Sequence, residues 1–394
     1  MIKIPLGLPV PTDALQAQSA MLCQLISDEI RHAPLASISF ARFMELALYE
    51  PKLGYYTAAL DKFGKMGDFT TAPEISPLFA RCIGRQCQQV LASLGQADIL
   101  EIGAGTGQFA IDLLLFLEQG ESLPCTYKIF EISPTLRKRQ QERLQQYIPH
   151  LFSLVEWLDE WPALPIKGVI LANEVVDALP VHQYLWTEDC IQEVRVACEK
   201  HRFIYHLALV DDLQIISQLT QLQANYFSEI KIYQSEICRR LPDWVGKLSC
   251  ALDQGLVLII DYGFPAQEYY HPDRANGTLL CYYQHRAHVD PLSLVGLQDI
   301  TVSVDFSSMA QAALQSGLKV AGFTSQAAFL LNNDLLPLTE KCYDEVSSMD
   351  VNRQVHLLTS PSEMGELIKV MGLTRNYEFF PLNGFKLYDK RMRL

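Results

Sequence analysis

The sequence lacks the excess of basic residues that a nucleic-acid-binding surface requires. Lys and Arg together number 32 against 45 for Asp and Glu, which gives a formal net charge of −13. DNA and RNA are bound mainly through cationic side chains on their phosphates, so this balance disfavours a nucleic-acid partner. An acidic surface instead attracts cationic ligands. Since 49% of the residues are apolar and only 20% are charged, a disordered chain is also excluded.

The cysteines show no pattern of a metal site or of a disulfide framework. The chain has 10 of them, without a Cys-x-x-Cys pair and without a histidine at zinc-finger spacing, so no metal is expected. They are scattered through apolar segments of a long chain, which predicts reduced thiols in a reducing compartment. We therefore expect a cytoplasmic protein.

Long hydrophobic runs are also absent. Apolar runs such as 113–117 and 256–260 are far shorter than the roughly 20 residues that span a bilayer. The N-terminal segment 1–11 has one positive charge and is interrupted by prolines before an apolar core can form, so a secretory signal is not predicted. The sequence therefore predicts no membrane span.

Short apolar runs predict the strands of a buried sheet. They are 98–102, 126–130, 152–155, 168–172 and 256–260. Helix-length stretches at 109–118 and 134–147 separate the first three runs. This alternation predicts an α/β fold, with a Rossmann-like, doubly wound and mainly parallel sheet.

Helical periodicity extends beyond this core. We expect helices at 226–239 and 244–252, after a small β meander that begins near Phe203. The C-terminal third is expected to be largely helical and to include a helix at 362–371.

A glycine-rich loop follows the first predicted strand and opens a helix. It reads Glu101-Ile-Gly103-Ala-Gly105-Thr-Gly107. At such a position the backbone amides and the helix N-terminus bind a polar or anionic ligand, and glycines let it approach the main chain. The last glycine of a dinucleotide fingerprint is replaced by Gln108, and no Gly-Lys-Ser/Thr ending of a P-loop occurs. The loop resembles that of Rossmann-like S-adenosylmethionine-dependent methyltransferases.

Two further residues are predicted near the ends of neighbouring strands. Glu131 ends the second predicted strand, where a carboxylate can accept hydrogen bonds from both hydroxyls of a ribose. Trp157 follows the third predicted strand and is interpreted either as one face of an adenine pocket or as a core residue. Glu101 either contacts the ligand or orients the glycine loop.

Longer sequence blocks resemble the MidA-type methyltransferases, over about residues 38–330 and in the same order. These blocks are Gly54-Tyr-Tyr, Gly67-Asp-Phe-Thr-Thr-Ala-Pro-Glu-Ile-Ser76, Glu101-Ile-Gly-Ala-Gly-Thr-Gly107, Glu131-Ile-Ser-Pro-Thr-Leu-Arg137, Asn173-Glu-Val-Val-Asp-Ala-Leu-Pro-Val-His-Gln183, Asp261-Tyr-Gly263 and Asp299-Ile-Thr-Val-Ser-Val-Asp-Phe306. Mitochondrial members of this family are understood as protein arginine methyltransferases needed for assembly of respiratory complex I. The resemblance therefore implies S-adenosyl-L-methionine as cofactor and a protein arginine as acceptor, for instance on a complex I subunit.

Acidic residues follow the fourth predicted strand, at the same edge of the sheet as the glycine loop. If the segment Asn173-Glu174-Val-Val-Asp177 is helical, Glu174 and Asp177 share one face and can hold a planar guanidinium between them. We predict these two as catalytic residues. In the alternative interpretation, Asn173 and Asp177 cap a helix and Glu174 favours its positive end.

The blocks Gly67-Asp68-Phe69 and Tyr55-Tyr56 are predicted to form a lid over the cofactor, with Asp68 accepting a hydrogen bond from its amino group. A loop that simply packs on the sheet is the alternative. Asp261 is assigned equally to the acceptor pocket or to a turn, and His182 is expected to be structural.

The sequence thus predicts two sets of site residues. The cofactor-binding residues are Asp68, Glu101, Gly103, Gly105, Gly107, Glu131, Trp157 and Asn173; the catalytic residues are Glu174 and Asp177. A non-catalytic assembly factor that retains the fold is the alternative function, and a nicotinamide-dependent oxidoreductase is a third.

Three regions are predicted along the chain. Residues 1–96 form an N-terminal helical and loop cap, and residues 97–264 form the cofactor-binding core with an insertion at about 185–253. Residues 265–394 form an α+β region that shapes the acceptor cleft.

Overall fold

The computed structural model describes residues 3–5, 7–58, 71–342 and 348–394. They form two compact units. The first contains the described residues up to 58 with 177–241 and 266–303, and the second contains 71–176, 242–265 and the described residues from 304 onward. The boundaries of these two units differ from those of the three regions predicted from the sequence, and the three regions stay a prediction. In the described part of the chain, no helix is long and apolar enough to cross a membrane.

The described residues form sixteen β-strands, numbered in chain order. They are β1 (Ser37–Ser39), β2 (Asp98–Ile102), β3 (Tyr127–Phe130), β4 (Val155–Leu158), β5 (Ile166–Asn173), β6 (His182–Trp186), β7 (Ile191–Glu199), β8 (Arg202–Leu209), β9 (Tyr233–Ile237), β10 (Leu252–Phe264), β11 (Leu280–Tyr283), β12 (Arg286–His288), β13 (Asp299–Thr301), β14 (Val304–Asp305), β15 (Lys319–Ser325) and β16 (Ile368–Arg375).

The same residues form fourteen α-helices. They are α1 (Asp13–His32), α2 (Phe40–Tyr49), α3 (Ala72–Ile75), α4 (Pro77–Leu94), α5 (Gln108–Gln119), α6 (Pro134–Tyr147), α7 (Leu213–Tyr226), α8 (Leu241–Ala251), α9 (Ala266–Tyr269), α10 (Phe306–Gln315), α11 (Gln326–Asn332), α12 (Leu335–Cys342), α13 (Ser348–Thr359) and α14 (Met364–Leu367).

The second unit is built on an eight-stranded sheet with the order β15-β16-β10-β5-β2-β3-β4, and β14 pairs with the end of β10. The five neighbouring strands β10, β5, β2, β3 and β4 run parallel to one another. Strand β16 is antiparallel to both of its neighbours, β10 and β15. Strands β5 and β10 are buried along most of their length, because an internal strand of a parallel sheet is covered on both faces. The prediction of a Rossmann-like, mainly parallel α/β fold is confirmed.

Helix α6 is the element of this unit that matters most for the site. It begins after Ser133, whose hydroxyl accepts a hydrogen bond from the amide of Leu136 (3.4 Å). Pro134 occupies the first turn, where a missing N–H leaves no bond unmade. The buried side of the helix carries Leu136, Gln140 and Leu144, so one polar side chain lies in an otherwise apolar stripe.

Two predicted elements of the second unit are wrong in place or type. The strand predicted at 152–155 is displaced, because pairing with β3 places β4 at Val155–Leu158. The helix predicted at 362–371 is limited to α14, and the chain then continues as β16. Strand β16 is buried along nearly all of its length, and a strand that is buried on both faces does not show the alternation that distinguishes a strand from a helix.

The first unit contains two separate antiparallel sheets. Strands β1, β7, β6 and β9 form one, with β8 paired to β7, and β11 lies between β12 and β13 in the other. The consecutive strands β6, β7 and β8 form a meander, but it begins at His182, ahead of the predicted start near Phe203, so that only β8 lies where the meander was expected. The helix predicted at 226–239 is wrong, because α7 ends at Tyr226 and residues Tyr233–Ile237 pair with β6 as β9.

Candidate functional site

The glycine loop connects β2 to α5 and adopts left-handed backbone conformations. The φ angles of Gly103, Gly105 and Gly107 are +67°, +52° and +81°, a region that side chains with a Cβ rarely enter. A Cβ on Gly107 would lie 2.9 Å from Cδ1 of Leu144, whereas one on Gly105 would meet no described atom within 4 Å. The loop is therefore packed against α6 at Gly107 and open to a ligand at Gly105.

Glu131 lies at the carboxyl end of β3 and is 7% exposed. Its Oε1 accepts a hydrogen bond from the amide of Ser133 (2.9 Å), and its Oε2 accepts one from Nε2 of Gln140 (3.0 Å). Burial raises the pKa of Glu131 above its ordinary value, and these two hydrogen bonds oppose that increase. The carboxylate is thus held in one orientation beside the glycine loop.

Gln140 was not predicted as a site residue, yet it contacts three residues that were. Besides its bond to Glu131, Nε2 donates to the carbonyl oxygen of Gly105 (2.9 Å), and Oε1 accepts from Nε1 of Trp157 (3.1 Å). Gln140 is fully buried. The sequence pattern that could have revealed it is a glutamine with a leucine four residues before it and another four residues after it. A polar residue within such an apolar stripe needs hydrogen-bond partners, which marks it as a candidate.

Glu74 is a second residue that sequence reasoning missed. It lies in α3, and its carboxylate accepts a hydrogen bond from the hydroxyl of Thr106 in the glycine loop. The hydroxyl of Thr106 in turn accepts from the amide of Gln108 (3.3 Å) at the start of α5. The block that contains Glu74 therefore supports the loop directly.

Glu101 is buried beneath the loop, with 4% exposure. Its Oε2 accepts a hydrogen bond from the hydroxyl of Tyr127 on β3 (2.7 Å). Burial raises the pKa of Glu101 to about 8; the Tyr127 bond lowers it and the charge of Glu131 raises it. The side chain thus has a partner within the sheet.

Trp157 is placed differently from the prediction, because it lies within β4 and not after it. Its ring is partly buried and packs against Phe152, with centroids 5.7 Å apart. The indole N–H is bound to Gln140. Trp157 therefore packs on the core and is also tied to the residues around the glycine loop.

Asn173 and Glu174 leave β5 in a turn and not in a helix. Glu174 has a φ of +51° and donates its amide hydrogen to the carbonyl of Ile260 (2.8 Å). Nδ2 of Asn173 donates to Oε1 of Glu174 (3.2 Å), whereas its Oδ1 is buried without a partner among the described residues. Since no helix follows β5, both the shared helical face and the alternative helix cap are wrong.

Asp261 on β10 fixes this turn. It is fully buried, and its Oδ2 accepts from the amides of Val175 (3.2 Å) and Val176 (2.8 Å). Its Oδ1 accepts from the amide of Tyr262 (2.8 Å). Of the two roles considered for Asp261, these bonds support the turn.

Asp177 belongs to the first unit. It is 6% exposed, and its carbonyl oxygen accepts from the amide of Val302 (2.9 Å). Within the same unit its charge contributes to a raised pKa of Tyr56, of which burial is the main cause. The hydroxyl of Tyr56 donates to Oδ1 (2.9 Å) and Oδ2 (3.0 Å) of Asp299. Asp177 was predicted as a catalytic residue and Tyr56 as part of the lid, whereas the contact of Tyr56 with Asp299 was not predicted.

Two other predicted residues have separate outcomes. Asp68 lies outside the described residues. Nδ1 of His182 lies 2.8 Å from Oε1 of Glu193, which agrees with a structural role.

The glycine loop lies at the carboxyl edge of this sheet, has left-handed backbone conformations and follows an acidic residue. This arrangement is typical of a nucleoside-binding α/β enzyme. The model of the family described as "putative S-adenosyl-L-methionine-dependent methyltransferase" matches residues 82–324. The chain belongs to this family. It is an enzyme that uses S-adenosyl-L-methionine, and neither the oxidoreductase nor the non-catalytic alternative is favoured.

Curated relatives and a solved structure are similar over most of the chain. The zebrafish (Danio rerio) mitochondrial protein arginine methyltransferase NDUFAF7 is 30% identical, with 84% of this chain and 81% of that protein covered. The mitochondrial homologue from Drosophila melanogaster is 27% identical, with 88% and 85% covered. A Burkholderia thailandensis protein crystallised with S-adenosyl-homocysteine is 36% identical, with a TM-score of 0.92 and with 98% of this chain and 100% of that chain covered. These relatives confirm the resemblance to MidA-type methyltransferases.

The same relatives contradict the prediction of a cytoplasmic location, because they are named mitochondrial. This prediction depends on the cysteines being reduced, and the nine cysteines whose side chains the structure describes form no disulfide. Reduced thiols indicate a reducing compartment without identifying which one.

Gly105→Ala should weaken the binding of S-adenosyl-homocysteine at least tenfold, because a Cβ would enter the open side of the loop. The matched control is Gly317→Ala: Gly317 also has a positive φ (+81°) and no atom within 4 Å of its Cβ position. Both changes should cost about 1 kcal/mol of stability through backbone strain. Calorimetric titration and thermal unfolding measure the two effects, and equal affinities would contradict the placement of the ligand.

Glu131→Gln should weaken S-adenosyl-homocysteine binding by about 1–3 kcal/mol, because a charged acceptor for the ribose hydroxyls is lost. Glu236→Gln is the control, since Glu236 is another buried carboxylate (1% exposed) and accepts from the amide of Thr278 (2.9 Å) in the first unit. Its affinity should not change. A neutral result at Glu131 in calorimetry would remove it from the ribose.

The raised pKa of Glu101 predicts how stability depends on pH. The folded state holds this proton up to about pH 8, whereas the ordinary carboxyl value is 4.5. Between these values the folded state binds more protons, so stability falls as pH rises. In denaturant unfolding, Glu101→Gln should reduce the fall of the unfolding free energy with pH. The control Glu156→Gln changes an exposed glutamate of β4 and should leave this fall unchanged. Equal slopes for wild type and Glu101→Gln would contradict the burial argument.

Proposed function

We propose that this methyltransferase transfers the methyl group to a guanidinium nitrogen of an arginine on a protein. The relatives that cover most of the chain are named protein arginine methyltransferases. A net charge of −13 favours a cationic acceptor. The finer proposal, an acceptor arginine on a respiratory complex I subunit, rests on the resemblance of the sequence to the MidA-type family.

The cofactor is proposed to lie along the glycine loop. The open side of Gly105 admits it, Glu131 accepts from its ribose hydroxyls, and Trp157 lies toward the adenine. The buried Oδ1 of Asn173 has no partner among the described residues, so it suits a donor such as the amino group of the cofactor. These features fit S-adenosyl-L-methionine, which supplies an electrophilic methyl carbon on a sulfonium when bound.

The conformation of Glu174 is the observation that carries the proposal for the acceptor. A glutamate with a φ of +51° costs about 1–2 kcal/mol, and such strain is retained where the surrounding structure fixes it. Here the carbonyl of Ile260 and the carboxylate of Asp261 fix the turn. Since β2 and β5 pair in parallel up to Ile102 and Ala172, Glu174 and the glycine loop leave the sheet at the same edge.

The proposed chemistry is mainly orientation. A guanidinium is planar, its lone pair is delocalised, and its pKa is above about 12, so it must be aligned and its charge localised before nitrogen attacks a methyl carbon. A carboxylate can accept two parallel N–H bonds from such a group. We assign this task to Glu174, with Asp177 as the second proposed carboxylate, and expect most acceleration from alignment of the acceptor nitrogen.

Glu174→Gln should reduce methyl transfer about tenfold to hundredfold while S-adenosyl-homocysteine affinity is retained, because the lost charge acts on the acceptor. The matched control is Glu121→Gln, since Glu121 also has a left-handed φ (+49°) but lies in the turn after α5. Transfer is measured with labelled cofactor. Equal activities of the two variants would remove Glu174 from the acceptor site, and Asp177→Asn in the same assay tests the second carboxylate.

The acceptor itself is identified by incubating an extract from cells that lack this protein with the enzyme and labelled cofactor. Mass spectrometry should locate the label on arginine side chains of a protein, and Glu174→Gln should reduce this labelling by the same factor as it reduces methyl transfer. A label on lysine, on a carboxylate or on a small molecule would contradict the arginine assignment while leaving the methyltransferase itself intact.

A further inference from the structure

The buried amide of Gln140 connects three separate segments of the second unit. Its Nε2 uses both hydrogens, one on the carbonyl of Gly105 (2.9 Å) and one on Oε2 of Glu131 (3.0 Å). Its Oε1 accepts the indole hydrogen of Trp157 (3.1 Å). The loop after β2, the end of β3 and strand β4 are therefore held by one side chain.

Packing alone does not explain a glutamine at this position. Leu136 and Leu144 occupy the same buried stripe of α6 one turn away on either side, and a third apolar residue would fill it. A buried amide that lacks partners destabilises the fold, whereas Gln140 uses both donors and its acceptor. Each of its partners is a residue proposed to contact the cofactor.

We propose that Gln140 is the positioning residue of the methyl-donor site: it orients the Glu131 carboxylate for the ribose hydroxyls and ties it to the carbonyl of Gly105. The proposal rests on the ribose role of Glu131 given above. Gln140 does not itself react, and it acts through the groups to which it is bonded.

The charges around Glu131 determine what the loss of Gln140 would do. Burial raises the pKa of Glu131; the amides of Ser133 and Ile132, the amide of Gln140 and the charge of Arg137 lower it. The Glu101 carboxylate on β2 faces it as well, and the charges of the two carboxylates interact. When the Gln140 donor is removed, burial should dominate, so that Glu131 takes up a proton at higher pH.

The test measures the affinity for S-adenosyl-homocysteine by calorimetry from acid to alkaline pH. Gln140→Met keeps the volume but removes the three hydrogen bonds. Affinity at neutral pH should fall about tenfold to hundredfold, and the pH at which affinity declines on acidification should rise. The control is Gln86→Met, because Gln86 is also fully buried in a helix of this unit and accepts from the amide of Gly384 (2.9 Å). It should change neither quantity.

A second variant keeps the proposal testable if Gln140→Met does not fold. Gln140→Glu places a carboxylate beside Glu131, and two such groups share one proton and repel each other once both ionise. Its affinity should therefore fall as pH rises, opposite to the trend of the wild type. If either folded variant keeps the pH profile of the wild type, Gln140 serves packing alone and the proposal is overturned.

Failure of this inference is distinguishable from failure of the ribose assignment. If Glu131→Gln leaves affinity unchanged, the ribose role is wrong whatever Gln140 does. If Glu131→Gln weakens binding while Gln140→Met alters neither affinity nor pH profile, only the role of Gln140 is wrong. In the Glu131→Gln background, Gln140→Met should cause no further shift of the pH profile, because the titrating group is gone.

Discussion

The parallel pairing of β2 with β3 on one side and with β5 on the other is the constraint on which the donor site depends. Ile102 pairs with Phe130 and with Ala172, so these three strands end at one level. The glycine loop, Glu131 and Asn173 occupy those ends. Residues that are far apart along the chain become neighbours because the register of the backbone hydrogen bonds places them there.

This arrangement requires carboxylates to be buried, and their hydrogen bonds offset the cost. Glu101 is paired with the hydroxyl of Tyr127, Glu131 with an amide and with Gln140, and Asp261 with three amides. An unpaired buried charge would destabilise the unit by several kcal/mol. The donors bonded to these groups are neutral and fix their orientation, so Glu131 keeps its capacity to accept from a ligand.

The sequence signals that predict the donor side are local. Three glycines after a buried strand and an acidic residue at the end of the next strand can be recognised within a few residues. Gln140 could not be assigned in this way, since its partners lie on three different segments. Strand β16 was missed for a related reason: it is buried on both faces, and its identity as a strand depends on pairing with β10 and β15.

The acceptor side shows why residue spacing alone is a weak guide. The prediction of Glu174 and Asp177 on one face assumed a helix, but the chain makes a turn in which Glu174 is left-handed. That turn is fixed by Asp261, which comes from a distant part of the sequence and is fully buried. The direction of the Glu174 carboxylate is therefore determined by a neighbouring strand of the sheet. Replacing Asp261 would remove the acceptor of two amides of this turn, so the conformation of Glu174 depends on a residue that does not take part in the proposed chemistry.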